Sequence, residues 1–113
     1  MNSLSQPDSF FAIADPTRRK ILTLISKQEC SVNELVKRFN MSQPAISQHL
    51  RVLEDAGLVS VRTEGTRRFY RTRPEALAQL RDYLEQFWRD SLQQLAEAAE
   101  AEEGRTHGDH TSD

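Results

Sequence analysis

Apolar positions recur three and four apart through most of the chain, a spacing that predicts helices. The clearest run is 42–56, where Ile46, Leu50 and Leu53 fall at i, i+4 and i+7 on one face. Ser42 is a capping residue, Pro44 falls in the first turn where a missing N–H costs little, and Gly57 is a stop. At about 100° per residue the opposite face carries Pro44, Ser47, Gln48, Arg51 and Asp55, with Gln43 at the exposed N-terminal end. Hydroxyls, amides and one arginine are the side chains that read base edges in a DNA major groove.

The flanking patterns supply the rest of the fold. Ser31 and Glu34 form a capping box, and Val32, Leu35, Val36 and Phe39 follow at i, i+3, i+4 and i+7. This second short helix, 31–39, ends near Asn40, which tolerates a left-handed turn. Two helices separated by two or three residues make a helix-turn-helix. Cys30 and Leu35 have the spacing of a hydrophobic staple, as do Met41 and Ile46. Upstream, Asp15-Pro16 starts a helix running to about Lys27, with Ile21, Leu22, Leu24 and Ile25 as its stripe. Before it, residues 8–14 hold a short apolar patch, Phe10, Phe11 and Ile13, suited to a short helix against the body or a second subunit.

After Gly57 the period changes. Residues 58–63 and 67–72 are β-branched and roughly alternating, and Glu64-Gly65-Thr66 lies between them, so a β-hairpin is expected. Pro74 opens a last helix with Leu77, Leu80, Leu84, Phe87, Trp88, Leu92, Leu95 and Ala99 at spacings of three and four, to about Glu102. That apolar face exceeds what one small domain covers, so it is expected to pair with the same helix of a second copy, with Phe10 and Phe11 alongside. The fold class is mainly α with a small β-hairpin, in the order α-α-α-α-β-β-α. One winged helix-turn-helix domain spans 8–102, and 1–7 and 103–113 are flexible termini.

Charge sharpens the picture. The 113 residues carry a net charge of −2, but unevenly. Residues 15–73 sum to +6 and residues 74–113 to −7, the division expected of a DNA-facing body and a DNA-averse tail. Arg62, Arg67, Arg68 and Arg71 crowd the hairpin, whose basic tip suits backbone phosphates or the adjoining minor groove. Arg18, Arg19 and Lys20 lie at a helix N-terminus, where cations oppose the macrodipole. Phosphate contact and plain solvation both fit them.

Other chemistry is sparse. The sequence holds neither a phosphate-cradling glycine loop nor an HExxH, so no enzyme is expected. The acids of the last helix read as a solvated face, and His49 as a packing or phosphate-contacting residue. The single cysteine, Cys30, excludes an intrachain disulfide. No apolar run is long enough to cross a membrane and the N-terminus lacks a signal pattern, so the cytoplasm is the expected compartment.

The phrases Ala14-Asp-Pro-Thr-Arg18, 41–50 (MSQPAISQHL), 52–59 (VLEDAGLV) and 64–70 (EGTRRFY) closely resemble the ArsR/SmtB-type winged-helix repressors of bacteria, over roughly residues 8–100. The resemblance implies a homodimer joined by its first and last helices, with the helix starting at Ser42 in the major groove of a palindromic operator. Gln43, Pro44, Ser47 and Gln48 match its base-contacting positions, and the hairpin arginines match its wing. The chain departs from the family's metal sensors. Where one type has Cys-Val-Cys this chain has Cys30-Ser-Val32, and 74–103, where the other type places Asp and His pairs, contains no histidine. His107 and His110 lie in the tail, a poor metal site.

The expected function is therefore sequence-specific regulation of transcription by a dimeric repressor on double-stranded DNA, without a cofactor or metal. The DNA-binding residues are Ser42, Gln43, Pro44, Ser47, Gln48, Arg51, Arg62, Arg67 and Arg68. The dimer interface is Phe10, Phe11, Leu80, Leu84, Phe87, Trp88, Leu92 and Leu95. The sequence names no inducer. The alternative is a winged-helix protein–protein interaction module or a partner-controlled co-regulator.

Overall fold

A computed structural model describes residues 8–105. The elements in chain order are α1 (Ser9–Ile13), α2 (Pro16–Lys27), β1 (Cys30–Ser31), α3 (Val32–Phe39), α4 (Gln43–Asp55), β2 (Val59–Glu64), β3 (Arg67–Thr72) and α5 (Pro74–Arg105). The expected order is present with one addition, the two-residue strand β1. The small sheet is three-stranded and antiparallel, in the order β1-β3-β2. Two residues are too few to show a period, so β1 leaves no pattern to read; it exists because β3 offers it a partner, with Cys30 opposite Tyr70 and Ser31 opposite Phe69.

Helix starts follow the side chains that cap them. Asp8 accepts from the Phe11 amide at 2.7 Å and Asp15 from the Arg18 amide at 3.0 Å, each satisfying a donor that the helix itself leaves open. The capping box of α3 is complete: Ser31 Oγ accepts from the Glu34 amide at 3.3 Å, and Glu34 Oε1 from the Ser31 amide at 2.7 Å. Asn40 closes α3 in the left-handed region, at φ 53°, where asparagine is tolerated better than most residues. Gly65, at φ 64°, is the first residue of a two-residue hairpin turn, the place where a glycine lets the turn match the twist of its strands.

Contacts divide the chain after Ala78. In the first unit, α1, α2, α3 and α4 pack with the sheet around Ile21, Leu22, Ile25, Leu35, Ile46, Leu50, Leu53, Leu58 and Tyr70, all buried. These include the stripes expected from periodicity, save that Leu24, Val32, Val36 and Phe39 are only half-buried. Thr72 is a polar member of this core, and its hydroxyl donates to the Leu22 carbonyl at 3.1 Å.

The second unit, from Gln79, contains the greater part of α5. The helix continues three residues past Glu102, to Arg105, so residues 103–105 are helical rather than loose. At 1.5 Å per residue the whole of α5 is roughly 48 Å long. Leu84, Phe87, Trp88, Leu92 and Leu95 are exposed on it, while Leu80 is buried. No helix among the described residues is long and apolar enough to cross a membrane. The loose termini expected at 1–7 and 106–113, with His107 and His110, lie outside the described residues.

Candidate nucleic-acid interface

The stripe of α4 decides what its other face can do. Ile46, Leu50 and Leu53 are buried, and this rotation turns Gln43, Ser47, Gln48 and Arg51 outward. All four line one open, mostly polar groove. The start of α3 contributes Ser31, Val32 and Asn33 to it, and the hairpin contributes Thr66, Arg67, Arg68 and Tyr70. The outward face of α4 and the tip of the hairpin, separate in the sequence, are thus walls of one surface.

Not every expected DNA-binding residue joins it. Ser42 and Pro44 are exposed at the helix start but do not line the groove, and the Ser42 hydroxyl accepts the Ala45 amide as cap. Arg62 also lies outside the lining. Alternation puts Arg62, Phe69 and Arg67 on one face of the hairpin and Arg68 on the other, so what separates Arg62 from the groove is its place farther from the turn and its carboxylate partner, not its face. The Glu29 carboxylate holds Arg62 in a two-pronged pair, accepting from Nε at 3.1 Å and Nη2 at 2.9 Å. That donation holds the Glu29 carboxyl below the usual carboxylate range. Asn33 and Thr66 line the groove although the sequence did not single them out. Thr66 was legible in principle as the turn residue between Gly65 and Arg67. Asn33, a second-position helix residue, carried no signal.

Arginines in the groove are held loosely. Arg51 lies 4.0 Å from Asp55, and Arg68 lies 3.6 Å from Glu54 and over the Tyr70 ring at 5.6 Å. Exposed pairs of this kind contribute about 0–1 kcal/mol, so a phosphate can take either arginine at little cost. Arg67 donates to Ser31 Oγ at 3.4 Å, and its guanidinium lies 4.8 Å from the Phe69 ring centroid.

The basic start of α2 has a role that the sequence did not suggest. Arg18 Nε donates to the Ala12 carbonyl at 2.7 Å and Nη2 to the Phe11 carbonyl at 3.2 Å. Arg19 Nη1 donates to the carbonyls of Ile13 and Ala14. These side chains donate to the carbonyls at the end of α1, where cations are favoured, and of these only the Phe11 carbonyl also accepts a backbone amide among the described residues, that of Ala14. The cost of placing them at the start of α2 is offset by the helix before it.

Cys30 is buried with Sγ 3.5 Å from the Gln28 carbonyl, and burial pushes its thiol up from the ordinary value. A thiol so placed is a poor nucleophile and a poor soft-metal ligand at neutral pH. Among the described residues no three His, Cys, Asp or Glu side chains are grouped to hold a metal. Of the expected dimer residues, Phe10 and Phe11 are exposed on α1, as are Leu84, Phe87, Trp88, Leu92 and Leu95 on α5.

Comparison with known proteins places this geometry among relatives. Residues 15–61 match the family model described as bacterial regulatory protein, arsR family. The HTH-type transcriptional regulator Rv2034 of Mycobacterium tuberculosis is 41% identical over 103 residues, covering 90% of this chain and 96% of that protein. The crystal structure of a possible transcriptional regulator for arsenical resistance has 47% sequence identity and a TM-score of 0.69, covering 79% of this chain and 93% of that one. A possible ArsR-family regulator from Mycobacterium bovis, solved by NMR as a homodimeric winged helix-turn-helix DNA-binding domain, has 35% identity and a TM-score of 0.57, covering 70% and 72%.

Proposed function

The chain belongs to the arsR family of bacterial regulatory proteins and is a DNA-binding transcriptional regulator rather than an enzyme, and from that premise we propose that it is a homodimeric repressor reading a pseudo-palindromic operator. The observation that carries this is the groove shared by α4 and the wing, where Gln43, Ser47, Gln48 and Arg51 stand alongside Thr66, Arg67 and Arg68. A helix of this length enters the major groove, and its amides and hydroxyls pair with base edges. Arg67 and Arg68 then meet the flanking backbone, which fixes register without reading sequence.

Dimerisation supplies the symmetry. The exposed stripe of Leu84, Phe87, Trp88, Leu92 and Leu95 is a surface proposed to meet a second copy, and the exposed Phe10 and Phe11 are proposed to contribute as well. A two-fold axis places half-sites about one helical turn apart, roughly 34–36 Å. A dimer seated on a promoter excludes polymerase, which is repression, and the compartment is that of the chromosome, the cytoplasm. The reading requires no cofactor.

Footprinting on the DNA upstream of its own gene tests this, with the protected duplex then titrated at several salt concentrations. With six to ten phosphate contacts, affinity falls by roughly 10³–10⁵ between 50 and 200 mM salt. A missing footprint, or binding indifferent to salt, overturns the reading in favour of a protein-binding module.

A further inference from the structure

We propose that Glu29 and Arg62 are positioning residues for the wing, not DNA contacts, and that they act through the Phe69 ring to set Arg67 at the lip of the groove. The inference rests on the DNA-binding reading above and says how one of its wing contacts, Arg67, is held in place. On the outer face of the sheet, Ser31, Phe69 and Arg62 form one cross-strand row. Glu29 sits just before β1, beside that row.

The Arg62 guanidinium has little left to offer a phosphate. Two of its nitrogens donate to Glu29, and Nη1 lies 3.5 Å from Glu64. Its flat face lies 4.6 Å from the Phe69 centroid. Two carboxylates around one cation leave a local charge that repels phosphate. A forked arginine–carboxylate pair is also directional, so it orients what it touches. What it touches is Phe69, and the same ring carries Arg67 at 4.8 Å. Arg67 has no carboxylate within salt-bridge distance among the described residues; its polar partner is the neutral Ser31 hydroxyl at 3.4 Å. One arginine is spent as a strut and the other is kept available.

Operator affinity and its salt dependence, measured on the full-length protein with the footprinted duplex, separate these roles. Replacing a true phosphate ligand lowers the log–log salt slope by about 0.9, and lysine in its place preserves most of the slope. The expected result is that Arg67→Met loses that slope. Arg62→Met and Arg62→Lys are expected to weaken binding equally, roughly 3- to 10-fold, with the slope kept, because lysine cannot make the fork. In the free protein, Glu29→Ala is expected to speed amide exchange at Arg67 and Arg68. Arg62→Lys binding like the unaltered protein, a slope loss in Arg62→Met, or unchanged exchange in Glu29→Ala would each overturn the proposal. Salt-indifferent binding by the unaltered protein would instead remove the DNA-binding reading on which it stands.

Discussion

Arg18 and His49 meet at 3.3 Å between Nη1 and the imidazole Nδ1, joining the first turn of α2 to α4. Arginine can only donate, so Nδ1 accepts and the neutral ring carries its proton on Nε2. The same guanidinium holds the Ala12 and Phe11 carbonyls. One side chain thus ties the end of α1 to α4. His49, expected to pack or to reach a phosphate, is half-buried against this hub.

Arg18→Met keeps much of the stem and removes all three bonds. It is expected to destabilise the protein by roughly 1–3 kcal/mol in urea titration. Its operator affinity is expected to fall as well, because α4 loses its tie to α1. A loss below about 0.5 kcal/mol, the range of a neutral surface change, would show that the hub carries no stability.

Acid unfolding has a specific contributor in Asp15. The backbone hydrogen bond from the Arg18 amide leads the causes that hold its carboxyl below the ordinary value, with smaller help from the charge of Arg18. A folded value below the unfolded one gives stability that is present above the unfolded pKa, about 3.9, and is lost as pH falls through the folded value. Thermal melts from pH 7 to pH 2.5 are expected to drop more steeply below pH 4 for the unaltered protein than for Asp15→Asn. Parallel curves would mean that the cap does not couple to protonation.

Gln48→Ala tests base reading. A glutamine spanning an adenine edge discriminates by about 1–3 kcal/mol at one base pair. The variant is expected to lose about that much on the operator and to accept any base at one position, while mixed-sequence DNA is bound as before. Uniform weakening on every sequence would mean that the face presented to bases has been wrongly assigned.

Trp88→Arg addresses the dimer. Trp88 is 60% exposed on the single chain and Phe87 62%, more apolar ring than a solitary helix usually leaves in water. Placing a charge there is expected to yield monomers by sedimentation velocity at micromolar concentration. An intact dimer would exclude this stretch of α5 from the interface.

Gly57 is the stop after α4, at φ 79°. An added Cβ would sit 3.7 Å from Arg73 Nη1, an ordinary contact, so only the backbone resists substitution. Gly57→Ala is expected to cost roughly 1–2 kcal/mol in urea titration, the penalty for a left-handed alanine. A neutral result would show that the turn relaxes.

The sequence by itself determined the elements and the sides they bury. Ser31 with Glu34, Asp15 with Arg18, and Ser42 with Ala45 mark helix starts by contacts three residues long. Ile46, Leu50 and Leu53 set the rotation of α4 by periodicity alone. Such signals are legible because cause and effect lie within one turn of chain. What the cations do was decided by tertiary structure. Arg62 finds Glu29 at a separation of 33 residues, Arg67 finds Ser31 at 36, and Arg18 finds His49 at 31. Four arginines in one hairpin look alike in sequence, since each carries the same charge on a similar stem. Tertiary neighbours sort them: Glu29 takes Arg62, which shares a strand face with Arg67, while Arg67 and Arg68 line the groove. The strand β1 had the same origin: Cys30 and Ser31 are a strand because folding brings β3 beside them.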